Sequence, residues 1–241
     1  VSERAIRAGD IVTSHAGKTV EILHTDAEGR LVMADAFSYA QRYSPKAMLD
    51  VATLTSASIA ALGQHASALM TRDDALRDEL WQLGEATGDR VWPLPLYEDY
   101  EQYLKSDRAD ISNIATNFHR FGGASEAGTF LANFVPEDVR WAHLDMAPRM
   151  QSVNTDKLAK GATGEPVRLR TERRERLVHR PADDRRREHV RDQVLHRPRR
   201  LAGEVSERRS LAEPTRRVGL DADEHVLARP FVAVGRGELA S

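Results

Sequence analysis

Asp26, Glu28 and Arg30 fall within one turn of chain, in His24-Thr25-Asp26-Ala27-Glu28-Gly29-Arg30. Two carboxylates so placed offer hard oxygen donors to a divalent metal, and the guanidinium offers a fork for a carboxylate, phosphate or carbonate. The stretch joins an alternating segment, Thr19-Val20-Glu21-Ile22-Leu23, to a run of helical composition from about Gly29 to Arg42. A strand-to-helix turn of a doubly wound sheet points into the crevice at the carboxyl ends of the strands, where such folds hold ligands. Judged as an isolated turn, the acids also suit a plainer role as caps of the following helix. Arg30 would then be a surface partner of Glu21 or Asp35.

The elements that must position this turn have an α/β rhythm from Gly9 to about Thr163. Ala47-Met48-Leu49-Asp50-Val51 is a compact apolar strand closed by Thr53-Leu54-Thr55, so residues 19–51 predict a βαβ unit. A right-handed crossover makes its two strands parallel and sets Asp26 and Glu28 on the same rim as Thr53 and Thr55. Further along, Ala66–Met70 predicts a strand, and Asp73–Thr87 a helix capped by Thr71 or Asp73 and stopped by Gly88. The prolines of Val91-Trp92-Pro93-Leu94-Pro95-Leu96 impose an extended connector, with a short helix from Glu98 to Lys105 after it. Gly122-Gly123 opens a helix to Asn133, and Arg140–Leu144 is a final strand ending in Asp145. The fold class expected is α/β, a mixed and mostly parallel sheet flanked by helices.

Composition narrows the chemistry. The chain has no cysteine, so a metal must sit on oxygen or nitrogen. His15, His24, His65, His119 and His143 have no paired spacing for zinc and are read as structural. No run approaches the roughly 20 apolar residues of a membrane helix, and the first residues lack a signal-peptide core. A cytoplasmic protein without a membrane partner is the expectation. The net charge of −2 hides an asymmetry: residues 168–241 hold nineteen Arg, no Lys and thirteen acids, for +6, which leaves −8 for residues 1–167. Two regions follow, an α/β domain over 1–167 and an Arg-rich tail over 168–241, read as disordered or as out-of-frame translation, with Phe231–Val234 as one isolated strand. The interspersed acids cancel most of any basic field, which argues against nucleic acid as a partner.

Asp26-Ala27-Glu28-Gly29-Arg30, within the longer run to Ala36, resembles the signature of the leucine aminopeptidase (cytosol aminopeptidase) family. Gly17-Lys18-Thr19-Val20-Glu21, Asp50-Val51-Ala52-Thr53-Leu54-Thr55, Lys105-Ser106-Asp107, Trp141-Ala142-His143-Leu144-Asp145 and Lys160-Gly161-Ala162-Thr163-Gly164 extend the resemblance over roughly residues 7–169. It implies a metalloaminopeptidase that uses two divalent ions, Mn or Zn, with Asp26 and Glu28 as ligands. It also implies a catalytic Arg30 holding bicarbonate, and a pocket for the substrate's first side chain lined by Thr53, Leu54, Ala147 and Met150. Peptide substrates and a hexamer of the full-length protein follow from the same likeness. The sequence departs from the family pattern at His24, in place of asparagine, at Ser56, in place of glycine, and at Pro148-Arg149. The family's remaining ligands, a lysine and two aspartates, have no counterpart here, so the expectation is a fragment with little activity in isolation. The alternative is a non-catalytic binding or assembly protein that retains the fold and uses its basic tail as a surface.

Overall fold

The computed structural model describes residues 3, 5–116, 121–156, 158–178 and 231–235. By its internal contacts the chain divides into one unit of Val1–Glu175 with Ala228–Ser241 and a second of Arg176–Leu227. Of the second, the described part is the end of one helix. The tail expectation therefore falls largely outside the described residues, as does His119.

The first unit is a mixed α/β structure with two sheets. The smaller has the order β1 (Ile11–Thr13), β2 (Thr19–Glu21), β6 (Ile111–Ser112). The larger has five strands in the order β5 (Val91–Pro93), β4 (Ser67–Met70), β7 (Arg140–Asp145), β3 (Ala47–Ala52), β8 (Phe231–Gly235). The pairs β2–β6, β3–β7 and β4–β5 are parallel, while β1–β2, β4–β7 and β3–β8 are antiparallel, so parallel pairing does not dominate among the described residues.

The expected βαβ unit is corrected in one respect. β2 and β3 flank the helix α1 (Gly29–Ala40) but lie in different sheets. Both edges of β3 are taken, by β7 and β8, and beyond β2 Ile22 stays paired with Gly9 and Asp10 while Leu23 and His24 bond to the Asn113 side chain. Nor is Phe231–Gly235 isolated, since it pairs antiparallel along β3 from Val51 to Ala47.

Local signals account for the helices. In α3 (Asp74–Thr87) the Asp73 carboxylate accepts the Leu76 N–H at 2.9 Å, and Gly88 ends the helix in the left-handed region at φ +79°. Gly122, at φ +70°, opens α4 (Gly123–Ala132). Short elements without a period escape the sequence: β1, β6, the seven-residue α2 (Ser56–Leu62) and a 3-10 turn at Ala147–Arg149.

β3 and β7 alternate between two cores. Met48, Ala52 and Trp141 face one packed from α1 and α4 by Met33, Phe37 and Phe130. Leu49, Ala142 and Leu144 face the other, with Leu76, Leu80 and Leu83 of α3 and Leu169 of α5 (Val167–Val178). No helix among the described residues is long and apolar enough to cross a membrane.

Candidate active site

The turn before α1 is shaped by two side chains. Asn113, fully buried just after β6, donates through Nδ2 to the His24 carbonyl at 2.7 Å, and its Oδ1 accepts from the N–H groups of Leu23 and His24. His24 Nδ1 accepts the Asp26 N–H at 3.2 Å, the bond an asparagine makes when it closes such a turn. The departure at His24 thus leaves the turn chemistry in place.

Asp26 and Glu28 stand exposed on this turn, and among the described residues neither carboxylate has a hydrogen bond or ion pair. Glu28 occupies the N-cap position of α1 with no side-chain cap bond, which removes capping as its role. Two free hard donors on one turn fit part of a divalent-metal site. They do not complete one: no group of three or more His, Asp or Glu gathers among the described residues.

Arg30 is only 7% exposed and pairs with neither Glu21 nor Asp35. Its Nη1 donates to the Asn113 carbonyl at 2.7 Å and to Glu126 Oε1 of α4 at 2.8 Å. Burial pushes the guanidinium down from its usual value, and the charges of Glu126 and Asp145 oppose that. A guanidinium carries five N–H donors, and both of the bonds that anchor the side chain, to Asn113 and Glu126, run through Nη1.

Asp145 organises the opposite wall. This carboxylate at the end of β7 is fully buried and accepts four bonds: Leu54 N–H at 3.0 Å and Ala147 N–H at 3.1 Å on Oδ1, Thr55 N–H at 3.0 Å and the Thr55 hydroxyl at 2.7 Å on Oδ2. Thr55 Oγ1 in turn accepts the Ser58 N–H as N-cap of α2. One side chain therefore fixes the loop bearing Thr53 and Leu54 against the turn bearing Ala147. Leu54 reaches the Asp26–Glu28 turn as well, because a Cβ added at Gly29 would lie 3.5 Å from Leu54 Cδ1. The carboxylate turn, Arg30 and the Leu54–Ala147 wall meet, although β2 and β3 belong to different sheets. Met150 lies beyond Ala147 and is 42% exposed.

Beneath this wall lies a buried polar trio. His143 Nδ1 bonds to Asp50 Oδ1 across the parallel β3–β7 register, and Trp141 Nε1 donates to Asp50 Oδ2 at 2.6 Å. Burial alone would depress the imidazole, yet the Asp50 charge and hydrogen bond, with Asp145 adding, raise it above its ordinary value. A raised folded value means that the protonated pair stabilises the fold fully below about pH 6.5 and that this contribution is lost as pH climbs through the raised value. Urea unfolding between pH 6 and 9 should show that decline, and Asp50→Asn should flatten it.

Asn113 and Glu126 are not singled out by the sequence, and Asp50 and Asp145 stand there only as members of strand segments. Asn113 follows a two-residue strand, and Glu126 sits in a helix that is otherwise apolar or small, where a fully flanked acid was the available signal.

Comparison with known proteins places the chain in a family. Residues 1–171 match the model of the cytosol aminopeptidase family, catalytic domain. A probable cytosol aminopeptidase of Acinetobacter baylyi is 51% identical over 168 residues, 70% of this chain and 33% of that protein. One from Histophilus somni is 50% identical over 166 residues, 69% of this chain and 32% of that protein. Among solved structures, the K354E mutant of tomato leucine aminopeptidase superposes with a TM-score of 0.65 at 40% identity, covering 71% of this chain and 33% of that one. The chain thus spans about a third of the length of the curated relatives it matches. On the shared signature turn, the common fold and a match that runs through 171 of its 241 residues, the chain belongs to the cytosol aminopeptidase family.

Proposed function

We propose that this chain supplies one wall of a two-metal aminopeptidase site, cutting N-terminal residues from peptides in the cytoplasm as part of a larger, hexameric protein. The observation that carries the reading is the meeting of Asp26, Glu28 and Arg30 with the Leu54–Ala147 wall around Asp145. Asp26 and Glu28 would hold the divalent ions, Mn or Zn, through carboxylates that make no competing bond among the described residues. Such ions supply Lewis acidity and an activated water at neutral pH. Arg30, anchored on Glu126 and Asn113, would bind bicarbonate through its remaining donors, and the N-terminal end of α1 favours the same anion. Thr53, Leu54, Ala147 and Met150 would receive the substrate's first side chain, while Asp145 keeps the two pocket stretches at a fixed spacing.

Two carboxylates alone bind metal weakly, because affinity follows the number of ligands and the rigidity of their supports. The isolated 241-residue chain should therefore hydrolyse leucinamide in Mn²⁺ at less than about a thousandth of a complete enzyme's rate, a deficit of roughly 4 kcal/mol in barrier terms. Steady-state assays of leucine release check this. Robust turnover would mean that further ligands come from within the chain. The lack of a three-donor cluster among the described residues also supports a second reading, a non-catalytic relative that keeps the fold for binding or assembly. Metal-independent binding of peptides, unaffected by Asp26→Asn, would favour that reading.

A further inference from the structure

Arg149 is the one charged side chain in the stretch from Met146 to Gln151, which carries the pocket residues Ala147 and Met150. It is 4% exposed. Its Nε donates to Glu165 Oε1 at 2.9 Å, and its Nη1 donates to the Gln64 carbonyl at 2.6 Å and to Asp156 Oδ2 at 3.1 Å. The Arg149 carbonyl accepts from the Thr163 hydroxyl. Asp156 Oδ2 also accepts the Val153 N–H at 2.8 Å.

These bonds gather three separate stretches: the chain just past α2, the turn at Val153–Asp156, and Thr163–Glu165. Between them, residues 151–162 fold back on themselves through a bridge of Gln151 with Ala162 and a Ser152 N–H bond to the Gly161 carbonyl at 2.7 Å. The guanidinium sits at the base of that fold. Glu165 depends on it, since the carboxylate is 4% exposed, burial raises its carboxyl above the usual value, and Oε2 has no partner among the described residues.

Met150 is the pocket residue that this arrangement serves. A methionine has three rotatable bonds and adapts to what it touches, so an exposed one discriminates between ligands only if its backbone is held. Asp145 holds the Ala147 side of the turn through one hydrogen bond. Arg149 holds the other.

We propose that Arg149 is the positioning residue for the pocket that takes the substrate's first side chain: it fixes the Met150 backbone by clamping it to Gln64, Asp156 and Glu165. The proposal rests on the aminopeptidase reading for what enters the pocket. A planar fork is needed to reach a carbonyl and two carboxylates in different directions, and lysine would serve only part of the set.

The test uses the full chain, unaltered and as Arg149→Met, Arg149→Lys and Asp156→Asn/Glu165→Gln, the last keeping the arginine while removing its charged partners. Amide exchange of residues 150–164, followed by mass spectrometry, should accelerate about tenfold or more in Arg149→Met and in the double variant, with an intermediate gain in Arg149→Lys. Exchange in β3 and β7 should stay within about twofold, which shows that the fold is retained. In Mn²⁺, the ratio of leucinamide to phenylalaninamide affinity, from saturation-transfer NMR, should move at least about threefold in Arg149→Met and return toward the original in Arg149→Lys. Should Arg149→Met fail to fold, the double variant carries both measurements. Unchanged exchange in 150–164 in the loosened variants overturns the proposal, as does faster exchange with an unmoved affinity ratio. Binding of neither amide to the unaltered chain overturns the aminopeptidase reading itself, and the exchange pattern separates that failure from a failure of the clamp.

Discussion

Arg30→Met should destabilise the chain by about 3–5 kcal/mol, the usual cost of removing one member of a buried ion pair. The Arg30 and Glu126 side chains are 8% and 7% exposed, and the mutation strands the Glu126 carboxylate in the core together with the Asn113 carbonyl. The loss of about a third or more of a typical domain's stability would be plain in a denaturant midpoint. Arg30→Met/Glu126→Met should recover much of it, because removing both charges also removes their desolvation cost. The same pair of variants separates the structural use of the residue from the anion site proposed for it. Stability should return in the double variant, whereas the proposed bicarbonate binding, which would need the remaining guanidinium donors, should be lost in both. Urea titration and a bicarbonate titration on the same samples give the two answers.

Asp145→Asn should cost about 2–4 kcal/mol, from charge-assisted bonds at about 1.5–3 kcal/mol each and a donor newly turned toward donors. Asn retains one acceptor oxygen, so it can keep the bonds from Leu54 and Ala147 or those from Thr55, but not all four. Keeping the Leu54 and Ala147 bonds loosens Thr55 and the start of α2, and keeping the Thr55 bonds frees the Ala147 turn from the Thr53–Thr55 loop. The expected sign is a lower denaturant midpoint together with faster amide exchange at residues 53–58, where Thr55 also caps α2. Asp145→Ala, which leaves every donor unmet, should be worse. Equal stability of Asp145→Asn and the unaltered chain would show that the four bonds are replaceable by water and that the wall is not organised from this carboxylate.

Much of the framework is legible in the residues. Asp73 and Gly88 mark the ends of α3 because a carboxylate ahead of free N–H groups and a residue without Cβ after the last turn act locally. The apolar alternation of β3 and β7 is legible for the same reason: a period of two needs no partner to be seen. What the residues conceal is partnership. Nothing in Thr19–Leu23 says that its ladder ends on the side chain of Asn113, about ninety residues away, instead of continuing beside β3. β6 has two residues and no period, so the strand that splits the fold into two sheets leaves no signal. At the candidate site, Asp26, Glu28 and Arg30 stand out in sequence because three charged groups crowd one turn. The groups that position them are not, since Glu126, Asn113 and Asp145 are ordinary until the fold buries them. Arg149 shows the converse, a departure from the family pattern that is plain in sequence and whose place at the centre of a buried ion-pair network is not.

The claim on which the rest depends is that the Asp26 and Glu28 carboxylates hold a divalent cation. The direct measurement is an Mn²⁺ titration of the 241-residue chain, read from the electron paramagnetic resonance signal of free Mn²⁺, beside the same titration of Asp26→Asn/Glu28→Gln. Both acids are exposed and bond to nothing else among the described residues, so the variant should fold as the original does. The account predicts saturable binding by the original chain, weakened by about tenfold or more in the variant. Superimposable isotherms would contradict it, because the cation would then be held elsewhere or not at all.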